Sequence, residues 1–140
     1  MKCGNKVSMG KEVTGGIEVI KFWIFMLIMN LLIPFMMIGI GWLFLHRPPK
    51  KINSFYGYRT SMSRKNQDTW EFAHRYSGKL WYVLGSILLP CSVLAMAMVY
   101  GMDVDTVGNF GAIVCIVQCV CLVGTIAPTE RALRKNGRRK

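Results

Sequence analysis

The chain has 140 residues, of which 52% are hydrophobic and 18% are charged, and its formal net charge is +11. This length limits the chain to a single domain, and the apolar composition argues against a water-soluble globular protein. Nearly all charges lie between or beyond three uncharged apolar blocks, a distribution typical of an integral membrane protein.

The three apolar blocks predict three transmembrane helices. They cover residues 22–45, 80–100 and 107–127, and none contains Asp, Glu, Lys or Arg. About 20 apolar residues cross a hydrocarbon core of ~30 Å as a helix, so each block is long enough by itself. The first block is longer than the apolar region of a cleaved signal peptide, and no small-residue cleavage site follows it, so we expect it to be retained.

These blocks predict an all-α, three-helix transmembrane domain over residues 22–127. Residues 1–21 are expected to form a flexible N-terminal tail, and residues 128–140 a basic C-terminal tail. The loop over residues 46–79 connects the first two spans. It contains the most distinctive sequence pattern of the chain.

The distribution of Lys and Arg predicts the orientation. The first loop and the C-terminal tail lie on one side and together carry 14 basic residues, whereas the N-terminal tail and second loop carry 4. By the positive-inside rule, the loop and the C-terminus face the cytoplasm and the N-terminus lies outside, in a multi-pass cell-membrane protein. This charge also suits membrane lipids as partners, and it gives no reason to expect direct nucleic-acid binding.

Polar and helix-breaking residues lie near the middle of the spans. Pro34 and Pro90 each remove a backbone donor, which frees the carbonyls of Asn30 and Ser86. Gln118 lies at similar depth in the third span, so Asn30, Ser86 and Gln118 are predicted to meet. Hydrogen bonding between helices is one interpretation, and a polar passage is the other. The absence of Asp, Glu, Lys and Arg from the spans favours the first.

The loop has the pattern of a turn followed by an amphipathic helix. Asn53 can form an Asx turn, and Gly57 suits a positive φ. Thr60, Ser61 or Ser63 could cap the helix that follows. Apolar and small residues recur at helical spacing from Trp70 into the second span. This pattern predicts a short amphipathic helix near the inner interface.

The same segment resembles the SdpI family, bacterial membrane immunity proteins against a secreted toxic peptide. The resemblance is carried by Asn53-x3-Gly57-Tyr58-Arg59-Thr60, then Trp70-x2-Ala73, then Gly78 and a span. It implies a non-enzymatic membrane protein that protects its cell. It also implies signalling by holding a transcriptional repressor at the membrane when toxin is present. Ser61 departs from the proline that many relatives have after Arg-Thr, and the chain is shorter than the founding protein.

The candidate lipid- or partner-binding residues are those of the motif: Asn53, Gly57, Tyr58, Arg59, Thr60, Trp70, Ala73 and Gly78. Arg59 can bind a lipid phosphate, or pair with Asp68 or Glu71 and fix the loop to the helix. Trp70 is expected to anchor the helix at the interface or to fill a site in the bundle. His74 is expected to be a solvated helix residue.

Two other functional classes remain open. A small oligomeric transporter or channel is supported only by the mid-span prolines and Gln118. A lipid headgroup enzyme would need convergent acid–base groups or a metal, and Asp68, Glu71 and His74 offer no nucleophile. We therefore predict no catalytic, cofactor or metal residues. The spans contain four of the five cysteines, but both histidines lie outside them.

Overall fold

A computed structural model of the chain describes residues 2–138, with side chains for residues 8–138. All regular structure in this part is helical, and it comprises four elements. They are α1 (Lys2–His46), α2 (Gln67–Met98), α3 (Val104–Gly124) and α4 (Ile126–Arg138).

Three helices are long and apolar enough to cross a membrane, as predicted. Only 17–22% of the most apolar stretch of each is buried inside the protein. Large side chains such as Phe35, Leu94 and Val120 are therefore exposed. In water this apolar surface would be strongly unfavourable, whereas hydrocarbon is a good solvent for it.

The helices at both ends of the chain extend beyond the predicted spans. Residues 2–21, predicted as a tail, are the first part of α1, which has no proline before Pro34. In the predicted basic tail, residues 128–138 belong to α4, and its Thr129 and Leu133 are buried. Packing of these two side chains explains why this helix forms on a strongly charged segment.

Glycines allow α1 and α2 to approach closely in the part of the bundle nearest the loop. A Cβ added at Gly41 would lie 2.7 Å from the carbonyl oxygen of Gly78. One added at Gly85 would lie 2.9 Å from the carbonyl oxygen of Pro34. Small residues are what close helix packing in lipid requires, since dispersion rather than water exclusion holds the helices together there.

Two tryptophans connect the helices near opposite ends of the bundle. Trp23 on α1 donates from Nε1 to the carbonyl oxygen of Met96 at 2.7 Å and packs edge-on against Tyr100. Trp81 on α2 donates from Nε1 to Thr125 Oγ1, between α3 and α4, at 2.9 Å. Amphipathic rings at the ends of spans are typical of the membrane interface.

Candidate functional site: the cap

The loop over residues 47–66 packs on the start of α2 and on α4, and we call this assembly the cap. Pro48 and Pro49 end α1, and Asn66 begins α2 by accepting a 2.9 Å hydrogen bond from the Thr69 amide. Thr69 Oγ1 in turn accepts from the Asn66 amide at 3.2 Å, which completes a capping box. The cap residue is thus Asn66, and the expectation of Thr60, Ser61 or Ser63 is wrong, because the reciprocal Asn66–Thr69 pair satisfies two backbone donors at once.

Trp70 fixes the beginning of the loop. Its side chain is completely buried, and Nε1 donates to the carbonyl oxygen of Pro49 at 2.8 Å. One turn earlier, the Gln67 side-chain amide donates to the carbonyl oxygen of Lys50. Of the two roles predicted for Trp70, the structure shows the one in which the side chain fills an internal site.

Asn53 shapes the exposed tip of the loop in the Asx turn that the sequence predicts. Its Oδ1 accepts from the amides of Phe55 and Tyr56, both at 3.1 Å, and its Nδ2 donates to Lys51 O at 3.1 Å. Arg59 donates from its guanidinium to the carbonyl oxygen of Ser54. The result is a defined turn that leaves Phe55 92% exposed.

Gly57 and His74 form the contact that holds the middle of the loop on α2. Gly57 has a φ of 119°, as its type predicted. A Cβ there would overlap His74 Nε2. The next residue, Tyr58, donates its backbone N–H to His74 Nε2 at 3.0 Å. The loop backbone therefore lies directly on the imidazole, and only glycine fits.

His74 is buried, so the prediction of a solvated helix residue is wrong. Its Nδ1 lies 2.7 Å from the carbonyl oxygen of Trp70. Since Nε2 accepts from Tyr58, Nδ1 carries the proton and donates to that carbonyl. Burial lowers the pKa of His74, only partly opposed by the hydrogen bond to Trp70. The neutral ring is what the loop requires, because a protonated Nε2 could not accept from Tyr58.

Tyr58 connects the loop to α4. Its hydroxyl donates to Glu130 Oε1 at 3.2 Å and lies 3.5 Å from the carbonyl oxygen of Ile126. Its ring packs with Ala73 and Leu133 in the buried core of the cap. Burial, together with the Glu130 carboxylate, raises the pKa of Tyr58 to about 12, so the hydroxyl remains a donor at physiological pH.

Most motif residues thus build the cap from inside. Thr60 accepts from the Ser63 amide at 3.3 Å, and Ser63 Oγ donates to Tyr58 O at 2.8 Å. Gly78 packs against Phe44 and Gly41, where α1 and α2 meet. The exposed apolar surface is formed by residues the motif does not include, Ile52, Phe55 and Tyr56, and Arg59 is the exposed residue of the motif. The signal for them was two aromatic residues directly after a predicted Asx turn.

A second group of predicted residues lies at mid-depth in the bundle. Gln118 on α3 donates from Nε2 to Asn30 O at 3.0 Å and to Ser92 Oγ at 2.5 Å. Asn30 O is the carbonyl that Pro34 deprives of its helical partner, so the prediction that Asn30 and Gln118 meet is confirmed. Gln118 therefore joins all three spanning helices at one point.

Ser86 does not take part in this contact. It is exposed, and its hydroxyl donates to Tyr82 O on its own helix at 2.7 Å. The partner on α2 is instead Ser92, which is buried. Gly78, Gly85 and Ser92 are seven residues apart and share the face of α2 that packs inward, whereas Ser86 and Pro90 are exposed on other faces.

Sequence similarity to known proteins identifies the family of this chain. The model of the SdpI/YfhL protein family matches residues 50–129, more than half of the chain. The chain belongs to the SdpI/YfhL protein family. It is also similar to the uncharacterised protein YfhL of Bacillus subtilis (strain 168), at 45% identity over 47 residues. That similarity covers 34% of this chain and 43% of YfhL, so the chain spans less than half of this relative. No solved structure matches the chain.

The SdpI/YfhL match coincides with the cap and the two spans that follow it. It begins at Lys50, whose carbonyl accepts from Gln67, and ends at Thr129, which is buried beside the loop. Glu130 and Leu133, which contact Tyr58, lie just beyond it. The family model thus covers nearly all of the loop-on-helix contact that defines the cap.

Proposed function

We propose that this chain is an SdpI-like membrane protein that confers immunity to a secreted toxic peptide, or signals by holding a partner at the membrane. The observation that supports the proposal best is that the SdpI/YfhL match includes the whole motif from which the cap is built. The chain is proposed to act by binding rather than by catalysis. In the cap, the buried histidine and tyrosine use their polar atoms to hold the loop.

The cap is the part proposed to meet the partner. Asn53 and Arg59 both form hydrogen bonds with the backbone of the tip. These bonds hold the tip in the conformation that exposes the aromatic side chain of Phe55. A rigid exposed aromatic residue beside basic residues suits either a protein partner or the lipid headgroup layer. The 14 basic residues on the loop side support a cytoplasmic cap, from which a cytosolic partner such as a transcriptional repressor could be held.

A small oligomeric transporter is the alternative, but the mid-depth residues favour packing. Gln118 uses both N–H groups to join α1 and α2 to α3. Asn30 Nδ2 donates to Met26 O at 2.9 Å on its own helix. A passage would need such groups to face an open path, whereas Asn30 and Gln118 are each 1% exposed.

The test is growth of cells with and without the gene, challenged with secreted peptides from the same strain. Cells that have the gene should survive peptide concentrations that stop cells lacking it. Arg59→Ala should reduce protection because it frees the tip, and Trp70→Ala because it releases the start of the loop. Arg64→Ala removes the same charge from the same loop and should retain protection.

Two results would contradict the proposal. Equal sensitivity with and without the gene would exclude immunity against those peptides. Full protection by both Arg59→Ala and Trp70→Ala, at unchanged protein amount in the membrane, would show that the cap is not the site. Substrate-dependent flux through the purified protein in liposomes would favour the transporter instead.

A further inference from the structure

A basic cleft lies at the end of the cap farthest from the spans, between the start of α2 and the end of α4. Its volume is about 420 Å³. Lys65 lines it from the loop, and Arg134 and Arg138 line it from α4. None of its described lining residues is acidic. Neither the motif nor the proposed function accounts for it.

The cleft brings together three cationic side chains from two elements. Arg134 and Arg138 are four residues apart on one helix, a spacing at which like charges destabilise the helix. Lys65 adds a third cation from a different element. Beside them, Thr69 Oγ1 and Asn66 Oδ1 are engaged in the capping box that begins α2, whereas Asn66 Nδ2 takes no part in it. Positive charge for binding an anion comes from the three cationic side chains, and the Asn66 amide adds a neutral donor.

The position of the cleft restricts the source of the anion. Thr69 lines the cleft, and it precedes the apolar part of α2 at Leu80 by 11 residues. At 1.5 Å per residue this is about 16 Å along the helix axis. The headgroup layer of one leaflet is only about 5–8 Å thick. With α2 running along the membrane normal, the cleft opens to water, beyond most lipid phosphates.

We propose that this cleft binds a phosphate group that reaches it from the aqueous side. Each guanidinium group can bind two phosphate oxygens through parallel hydrogen bonds, and the lysine ammonium adds a further positive charge. A phosphate with two negative charges balances three cations better than a single carboxylate does. The volume leaves room for a small molecule or a long headgroup that carries the phosphate. This inference is independent of the proposed function.

The test uses the full-length protein in phosphatidylcholine nanodiscs, titrated with inorganic pyrophosphate by calorimetry at constant ionic strength. R134Q/R138Q removes the two arginines of the cleft. R131Q/K135Q is the matched control, because it removes the same charge at the same spacing from the same helix, outside the cleft lining. We expect saturable binding to wild type and to the control, and binding at least about 10-fold weaker to R134Q/R138Q. Thermal unfolding checks that both variants fold.

A second arm distinguishes the sources of phosphate. Wild-type protein and R131Q/K135Q are titrated again in nanodiscs that contain phosphatidylinositol 4-phosphate, whose terminal phosphate extends beyond the layer of glycerol phosphates. Unchanged pyrophosphate affinity supports a soluble ligand, as the depth of the cleft predicts, whereas an equal loss of pyrophosphate affinity in wild type and R131Q/K135Q supports a headgroup in the same cleft. The proposal is overturned if wild type shows no saturable binding, or if both double variants lose affinity equally.

Discussion

Replacing Gln118 by leucine should loosen the contact between the three spans. The substitution removes two hydrogen bonds, to Asn30 O and to Ser92 Oγ, and introduces an apolar side chain of similar size. Hydrogen bonds between membrane helices contribute about 0.6–2 kcal/mol each. Gln118 Oε1 is buried without a partner among the described residues, so its removal offsets part of this loss. The net destabilisation should be about 1–2 kcal/mol.

The proline one turn after Asn30 provides an internal check on this reasoning. Pro34→Ala restores a backbone N–H four residues after Asn30, so the carbonyl regains its helical partner. In that background the cost of Gln118→Leu should fall by about 1 kcal/mol. A double-mutant cycle isolates this coupling.

The assay is reversible unfolding in mixed detergent micelles, followed by circular dichroism. Ser86→Ala is the control, because Ser86 bonds only within its own helix, and its effect should be within about 0.5 kcal/mol. If Gln118→Leu costs the same with proline and with alanine at position 34, the carbonyl of Asn30 is not what Gln118 satisfies.

Three predictions concern the cap. Gly57→Ala should release the loop and make it sensitive to trypsin, because the new Cβ would overlap the His74 ring and because position 57 has a positive φ. Gly124→Ala is the control: a Cβ there has open space around it, so the loop should stay protected from trypsin. Burial lowers the pKa of His74, so its contribution to stability should be complete above the ordinary value of 6.5 and decline as the pH falls below it. Unfolding free energies between about pH 7.5 and 5 test this, and an equal decline in His74→Gln would contradict it. Tyr58→Phe removes the bond to Glu130 and should cost about 1 kcal/mol in the same unfolding measurement, whereas no loss would contradict a role for the hydroxyl.

The spans could be predicted from sequence because they depend on length and apolarity alone. The Asx turn at Asn53 and the positive φ at Gly57 were also predictable, since both follow from local conformational preferences. The contact between Asn30 and Gln118 followed from the backbone donor missing at Pro34. In each of these cases the physical cause lies within a few residues or in the solvent.

The remaining features depend on tertiary contacts. His74 lies among charged residues in sequence, and only the loop above it buries it. The helix over residues 126–138 forms where Leu133 packs against Tyr58 and Ala73, which are distant in the chain. Gln118 contacts Ser92 and not Ser86 because Ser92 lies on the face of α2 that packs inward. The seven-residue spacing of Gly78, Gly85 and Ser92 in the sequence already indicates that face.

The most direct test of the account asks whether the cap and the turn between α2 and α3 lie on opposite sides of the membrane. Phe55→Cys and Met102→Cys, both at exposed positions, are introduced separately into a cysteine-free chain and treated in intact cells with a membrane-impermeant thiol reagent. We expect Met102→Cys to be labelled in intact cells and Phe55→Cys only after permeabilisation. Labelling of Phe55→Cys from outside would contradict the cytoplasmic cap, and labelling of both from one side would contradict a membrane-spanning α2.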